Sequence, residues 1–242
     1  MTLNEDQIKK GFWYYRPDID FPPRAIKSPE QYSGQERIDL RCTQLDLDSK
    51  KQKNLTASWC AYLPTLEKIK YLWFDSKVNQ MLFDAACQME NLEGLHIKWS
   101  SIKSLDNLLN LKNLKYLHIG SSTKIENINC IGNLNKLIVL EIAHFKKISQ
   151  IDPIGNLVQL EGLAIEGNID TTYIIETLKP LENLALLRHL SLGNLKTRDK
   201  TLSYLNGIKS LEYINLAHWW DEAEIEALKK NLPNLKYGSI NC

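Results

Sequence analysis

The segment Leu114-Lys115-Tyr116-Leu117-His118-Ile119 recurs 23 residues later as Leu137-Ile138-Val139-Leu140-Glu141-Ile142, and again as Leu160-Glu161-Gly162-Leu163-Ala164-Ile165. The same pattern opens at Ile69, Leu92, Leu187 and Leu211, with weaker copies opening at Cys42 and Leu235. Successive copies start 27, 23, 22, 23, 23, 27, 24 and 24 residues apart. In each copy the last two apolar residues stand two apart, the strand period, so both point to one side of a strand. The rest of each unit carries a stripe spaced by threes: Ile125, Ile128, Ile131 and Leu134, then Ile148, Ile151, Ile154 and Leu157. Three-residue spacing predicts 3-10 turns there. Longer units look helical, with Val78, Met81, Leu82, Ala85 and Met89 on one face, and with Asp221 and Glu224 as a capping box ahead of Ile225 and Leu228.

A fixed period with an L-x-x-L-x-L opening marks a chain whose units each bury their apolar face against the next. The chain resembles the leucine-rich-repeat family, in particular short-repeat bacterial forms such as internalins. The resemblance covers residues 42 to 242 and implies an α/β right-handed solenoid, with a parallel sheet on the concave face and 3-10 or helical segments on the convex side. It also implies binding rather than catalysis. At the position where the family often places an asparagine, only Asn168 does so; Ser100, Ser122, Phe145, Leu195 and Trp219 stand there in other units.

Residues 1–41 lie outside the repeat and hold Phe12, Trp13, Tyr14, Tyr15 and Phe21 beside Pro17, Pro22 and Pro23. The exposed end of a solenoid core must be covered, so this segment is expected to cap the first repeat. The alternative is a separate peptide-binding arm.

The strand register also lists the residues that leave the sheet on the partner side. The third position of the motif supplies Tyr71, Tyr116, His189, Tyr213 and Tyr237; the fifth supplies Trp73, His96, His118, Glu141 and Asn215. Position seven adds Glu166, and the rim adds Trp99, His144 and His218. All five histidines of the chain fall on this surface. Aromatic residues cluster at its two ends, while Gly162, Ala164, Gly167 and Gly193 leave its middle small. Exposed Tyr and Trp are the usual anchors of interfaces, so these fourteen residues are the expected partner-binding set. Stacking between neighbouring strands is the competing account of the aromatics. A second alternative is a metal or small ligand held by the His96, His118 and Glu141 column, although a flat column does not converge ligands tetrahedrally.

Net charge is +1 and the repeat strands carry little Lys or Arg, which excludes an electrostatic nucleic-acid site. No stretch approaches the length of a membrane span. The acidic start of the chain lacks the form of a signal peptide, and the five cysteines are scattered. A cytoplasmic location follows as the expectation, with delivery into another cell by a route needing no cleaved signal as its alternative. No nucleotide-binding, hydrolase or metalloprotease motif occurs. The expected function is therefore a non-enzymatic protein-binding module without cofactor, monomeric when unbound, of inhibitor or immunity type.

Overall fold

The computed structural model describes residues 2–10, 24–168 and 170–239. The aromatic run at 12–21 lies outside the described residues. Ten strands form one parallel sheet: β1 (Ala25–Ile26), β2 (Arg37–Leu40), β3 (Tyr71–Phe74), β4 (Gly94–Trp99), β5 (Tyr116–Ser121), β6 (Val139–Ala143), β7 (Gly162–Glu166), β9 (His189–Leu192), β11 (Tyr213–Leu216) and β12 (Tyr237–Ser239), in that spatial order. Strands β8 (Tyr173–Ile175) and β10 (Leu195–Thr197) pair separately with each other. Among the described residues there are four α-helices, α1 (Glu5–Lys10), α2 (Ser49–Tyr62), α3 (Gln80–Ala86) and α4 (Glu222–Asn231), besides short 3-10 turns.

The repeat register is the sheet register. Leu72, Leu95, Leu117, Leu140, Leu163, Leu190 and Ile214 align in one row across the strands and are fully buried. Behind them, 3-10 turns at Asp106–Asn110, Asn129–Asn133, Asp152–Asn156 and Lys179–Asn183 bring the three-spaced stripe into the same core. These turns stack closely. A Cβ on Gly155 would lie 2.6 Å from the backbone oxygen of Pro180 in the next unit, and one on Gly132 would lie 2.7 Å from that of Pro153.

Several local expectations are corrected. The weak copy at 42–47 is not a strand. Its place in the sheet is taken by β2, whose Ile38 and Leu40 align with Leu72 and Phe74. Strands β1 and β2 thus extend the sheet upstream of residue 42. The lysine-rich stretch from Ser49 to Asn54 forms the start of α2. Asp48 caps that helix through the Lys51 N–H at 2.8 Å, and Trp59 anchors it in the core with its Nε1 on the Lys27 carbonyl at 2.9 Å. In α3, Asn79 sets the start so that Leu82, Phe83 and Ala86 point inward and Met81 is left 60% exposed. Asp221 caps α4, but Glu224 does not close the box. Its carboxylate instead accepts from Leu202 N–H at 2.6 Å and Thr201 at 3.0 Å, tying α4 to the preceding unit.

Cys42, Cys87 and Cys130 are buried, and desolvation pushes Cys42 up to about 12 and Cys130 up to about 11, so they are packing residues.

Candidate functional site

The sheet face turned away from the core carries the two columns expected from the register. Trp73, His96, His118, Glu141, Ala164, Ser191, Asn215 and Ser239 are successive partners in one column. Tyr71, Gly94, Tyr116, Val139, Gly162, His189, Tyr213 and Tyr237 form the other. Placement therefore follows the sequence; exposure does not. Trp73, His96, Tyr116, Glu141, His144 and His189 are all buried.

Two causes bury all of these but His144. The first is stacking along the columns. The rings of Trp73 and His96 lie 3.3 Å apart between centroids, and those of His96 and His118 3.9 Å apart, within 6° of parallel. His189 stacks on Tyr213 at 4.0 Å. Burial, and then the proximity of His118, hold His96 well below the ordinary imidazole range. At the end of this stack His118 Nδ1 pairs with Glu141. The His96, His118 and Glu141 column is thus used internally, face to face and in line. Among the described residues no group of three or more His, Cys, Asp or Glu is arranged to hold a metal ion.

The second cause is the chain itself. Residues 2–10 do not lie over the end of the solenoid; they run across the open face, with α1 on its small-residue middle. Leu3 and Ile8 are buried in one apolar cluster with Trp73, Tyr116, Val139 and Ala164. The local reason is a capping box. Asn4 Oδ1 accepts from Gln7 N–H at 2.9 Å, and Gln7 Oε1 accepts from Asn4 N–H at 3.1 Å. This arrangement brings Leu3, just before the cap, over Ile8 in a hydrophobic staple. A helix of six residues is not stable alone in water. Burying Leu3 and Ile8 contributes roughly 2 kcal/mol each toward holding it.

Polar contacts fix the segment at both ends. The Leu3 N–H donates to Glu161 at 2.8 Å, and Arg188 donates to the Leu3 carbonyl at 2.7 Å. His189 Nδ1 lies 2.8 Å from the Ile8 carbonyl, and the Tyr237 hydroxyl donates to Glu5 at 2.8 Å. Lys9 sits 4.7 Å from the Tyr237 ring centre. Burial lowers His189 to about 4, so near neutral pH it is uncharged and Nδ1 carries the donated proton.

Glu161 and Arg188 were not among the expected site residues. They occupy the second motif position, which reads Glu93, Lys115, Ile138, Glu161, Arg188, Glu212 and Lys236 in successive units. That alternation of sign is visible in the sequence and becomes a row of ion pairs: Lys115–Glu93 at 2.8 Å, Arg188–Glu161 at 3.5 Å and Arg188–Glu212 at 2.7 Å. The Asn4-x-x-Gln7 signature beside Leu3 and Ile8 was the readable signal for α1.

The remaining expected residues lie further out. Glu166 accepts from Ser191 at 2.5 Å, and burial raises its pKa. Asn215 donates to Ser191 at 3.1 Å. His144 adopts a φ of 57° and faces Asn168 at 3.2 Å. Trp99, Tyr71, His118, Tyr213 and Tyr237 are half-buried, and His218 is exposed. Ser100 and Ser122, at the asparagine position, bond to each other at 2.7 Å in the interior. Trp219, at the same position, turns its Nε1 to the Leu195 carbonyl at 2.9 Å.

No protein-family model matches the chain, and no curated protein matches it by sequence. Solved structures do. It is similar to internalin C2 of Listeria monocytogenes, at 22% identity over 74% of this chain and 76% of that one, with a TM-score of 0.53. A leucine-rich-repeat protein of Leptospira interrogans matches at 18% identity over 89% of this chain and 53% of its own, with a TM-score of 0.58. The chain folds as a leucine-rich-repeat solenoid. A plant peptide hormone receptor, solved in complex with a hormone, matches at 18% identity over 74% of this chain and 30% of its own, with a TM-score of 0.52. In the leucine-rich-repeat solenoid the strand layer lines the concave side, so α1 lies on the concave face. Among the described residues no helix is long and apolar enough to cross a membrane.

Proposed function

We propose that this leucine-rich-repeat protein is a non-catalytic module that binds another protein through its concave face. One observation carries the reading: that face already grips a stretch of polypeptide, by apolar burial of Leu3 and Ile8 and by side-chain bonds to the Leu3 and Ile8 backbone. A surface that satisfies peptide N–H and C=O groups while burying side chains has the chemistry of protein recognition. The plant receptor of the same fold, solved with its peptide hormone, supports the reading by analogy.

The role follows from the architecture. A repeat domain without catalytic machinery of its own acts by occupying its partner, as an inhibitor or immunity-type protein does. Four described cysteines are free thiols, which favours a reducing compartment such as the cytoplasm.

The test is capture with the tagged full chain, identification of what is retained, and calorimetric affinity for variants. Tyr213→Ala and His218→Ala on the concave face should each weaken binding several-fold or more, and Lys124→Ala on the convex side should not. Concave variants that bind as the parent does would refute the reading. If the captured partner is an enzyme, loss of its activity on titration with the chain supports the inhibitor role.

A further inference from the structure

Residues 2–10 make a set of contacts that reads as ligand recognition rather than as packing of a terminus. Glu161 takes the N–H of Leu3 and Arg188 takes its carbonyl, so one acid and one base on adjacent strands hold both polar groups of a single residue. Their own pairing at 3.5 Å keeps each charge compensated and aimed. Twenty-seven residues of sequence separate them, yet the sheet sets them side by side. Next to Arg188, His189 takes the Ile8 carbonyl, which lies in the last turn of α1 where helix carbonyls have no partner within the helix. Tyr213 stacks on that imidazole and fixes its plane. Between these polar points, Leu3 and Ile8 drop onto Val139 and Ala164, where the small side chain at Ala164 gives them room.

Apart from Tyr237, which bonds Glu5 and faces Lys9, the contacts just described read backbone groups and two apolar side chains. Any peptide that folds one helical turn behind a polar cap, with an apolar residue before the cap and another five positions later, presents the same features. We propose that Glu161, Arg188 and His189 form a docking site for the first turn of such a helix, filled here by residues 2–10 and, in the complex, by a partner segment of the same pattern. The proposal rests on the concave-face reading above and narrows it to one half of that face and one class of ligand. The partner segment then competes with a tethered copy, whose effective concentration is on the order of millimolar. Binding is consequently weaker to the intact chain than to one whose own segment has been displaced.

The experiment uses a fluorescent, N-acetylated peptide of residues 2–10 as probe and the full chain as receptor. Leu3→Asp with Ile8→Asp in the receptor places charge in the apolar cluster and displaces its segment. The doubly substituted chain should bind the probe at least tenfold more tightly than the unsubstituted chain. Adding Arg188→Ala should abolish that gain, and a probe carrying Ile8→Asp should not bind. Equal uptake by both chains, or none by either at about 1 mM, overturns the proposal. Should the doubly substituted chain fail to fold, hydrogen exchange on the unsubstituted chain decides. Residues 3–10 should be protected, and Arg188→Ala should release them while β9 stays protected; exchange of 3–10 at unstructured rates overturns it. Finally, the probe should displace the protein captured in the assay above. A probe that binds without competing removes the partner segment from this site, and leaves the concave-face reading to stand on the His218 variant.

Discussion

His189 and Ile8 are 181 positions apart in the chain, yet the imidazole Nδ1 lies 2.8 Å from the Ile8 carbonyl oxygen in a buried contact. The bond joins the start of β9 to the last turn of α1, and burial keeps the ring that makes it uncharged near neutral pH. Burial is the larger influence on that ring and lowers it to about 4, the Ile8 bond pulling weakly the other way.

Acid should therefore loosen the fold. Between about pH 6.5 and 4 the unfolded chain binds a proton at His189 that the folded chain refuses, so stability falls as pH falls through that window and is unaffected above it. At pH 5 the loss is about 2 kcal/mol. Urea unfolding at pH 7 and 5 checks this: His189→Gln, which keeps a donor but cannot charge, should lose about 2 kcal/mol less than the parent. Equal losses in the two chains would contradict it.

Asp39 works in the opposite sense. Burial, and then the neighbouring Asp75 charge, raise it to about 6 from an ordinary 3.8, and its Oδ1 has no hydrogen-bond partner among the described residues. The folded state thus holds the proton more tightly. The penalty for ionisation is fully present above pH 6 and absent below about 3.8, and it amounts to at most about 3 kcal/mol. Asp39→Asn should stabilise the protein at pH 7 by roughly 1–2 kcal/mol, a gain that vanishes near pH 4. Chemical denaturation across that range measures it.

Trp73 and Tyr116 are part of a packed cluster, so truncating them should cost stability as well as contacts. Trp73→Ala and Tyr116→Ala should each destabilise by about 3 kcal/mol and lower the melting temperature by several degrees. His218→Ala, on an exposed side chain, should leave thermal unfolding within about 0.5 kcal/mol of the parent.

The convex turns give a matched pair. Gly155→Ala forces a methyl to 2.6 Å from the Pro180 backbone oxygen and should destabilise by about 1–3 kcal/mol. Gly207→Ala meets nothing within 4 Å and should be neutral or stabilising by up to about 1 kcal/mol. Thermal unfolding of the two variants separates inter-repeat crowding from glycine loss in general.

The repeat period and the L-x-x-L-x-L register were enough, read as residues, to place the sheet from β3 to β12, its buried rows and the two outward columns from Tyr71 to Tyr237, though not β1 and β2. Periodic burial is a local property: each unit repeats the same apolar spacing, and stacking identical spacings permits one register. Glu161 and Arg188 were legible as charges of alternating sign, but not as ligands for Leu3, because nothing in either residue says which chain segment will arrive there. The burial of Trp73, His96 and Tyr116 was likewise decided only in three dimensions. An outward position on a strand is exposed or covered according to what else lies on the sheet. Residues 2–10 carry a capping box and two apolar side chains, a pattern that specifies a helical turn without specifying its address. That address depends on long-range fit: a gap left by Ala164 and Gly162, a base and an acid spaced for the N–H and C=O of one residue, and an imidazole kept neutral by its own burial.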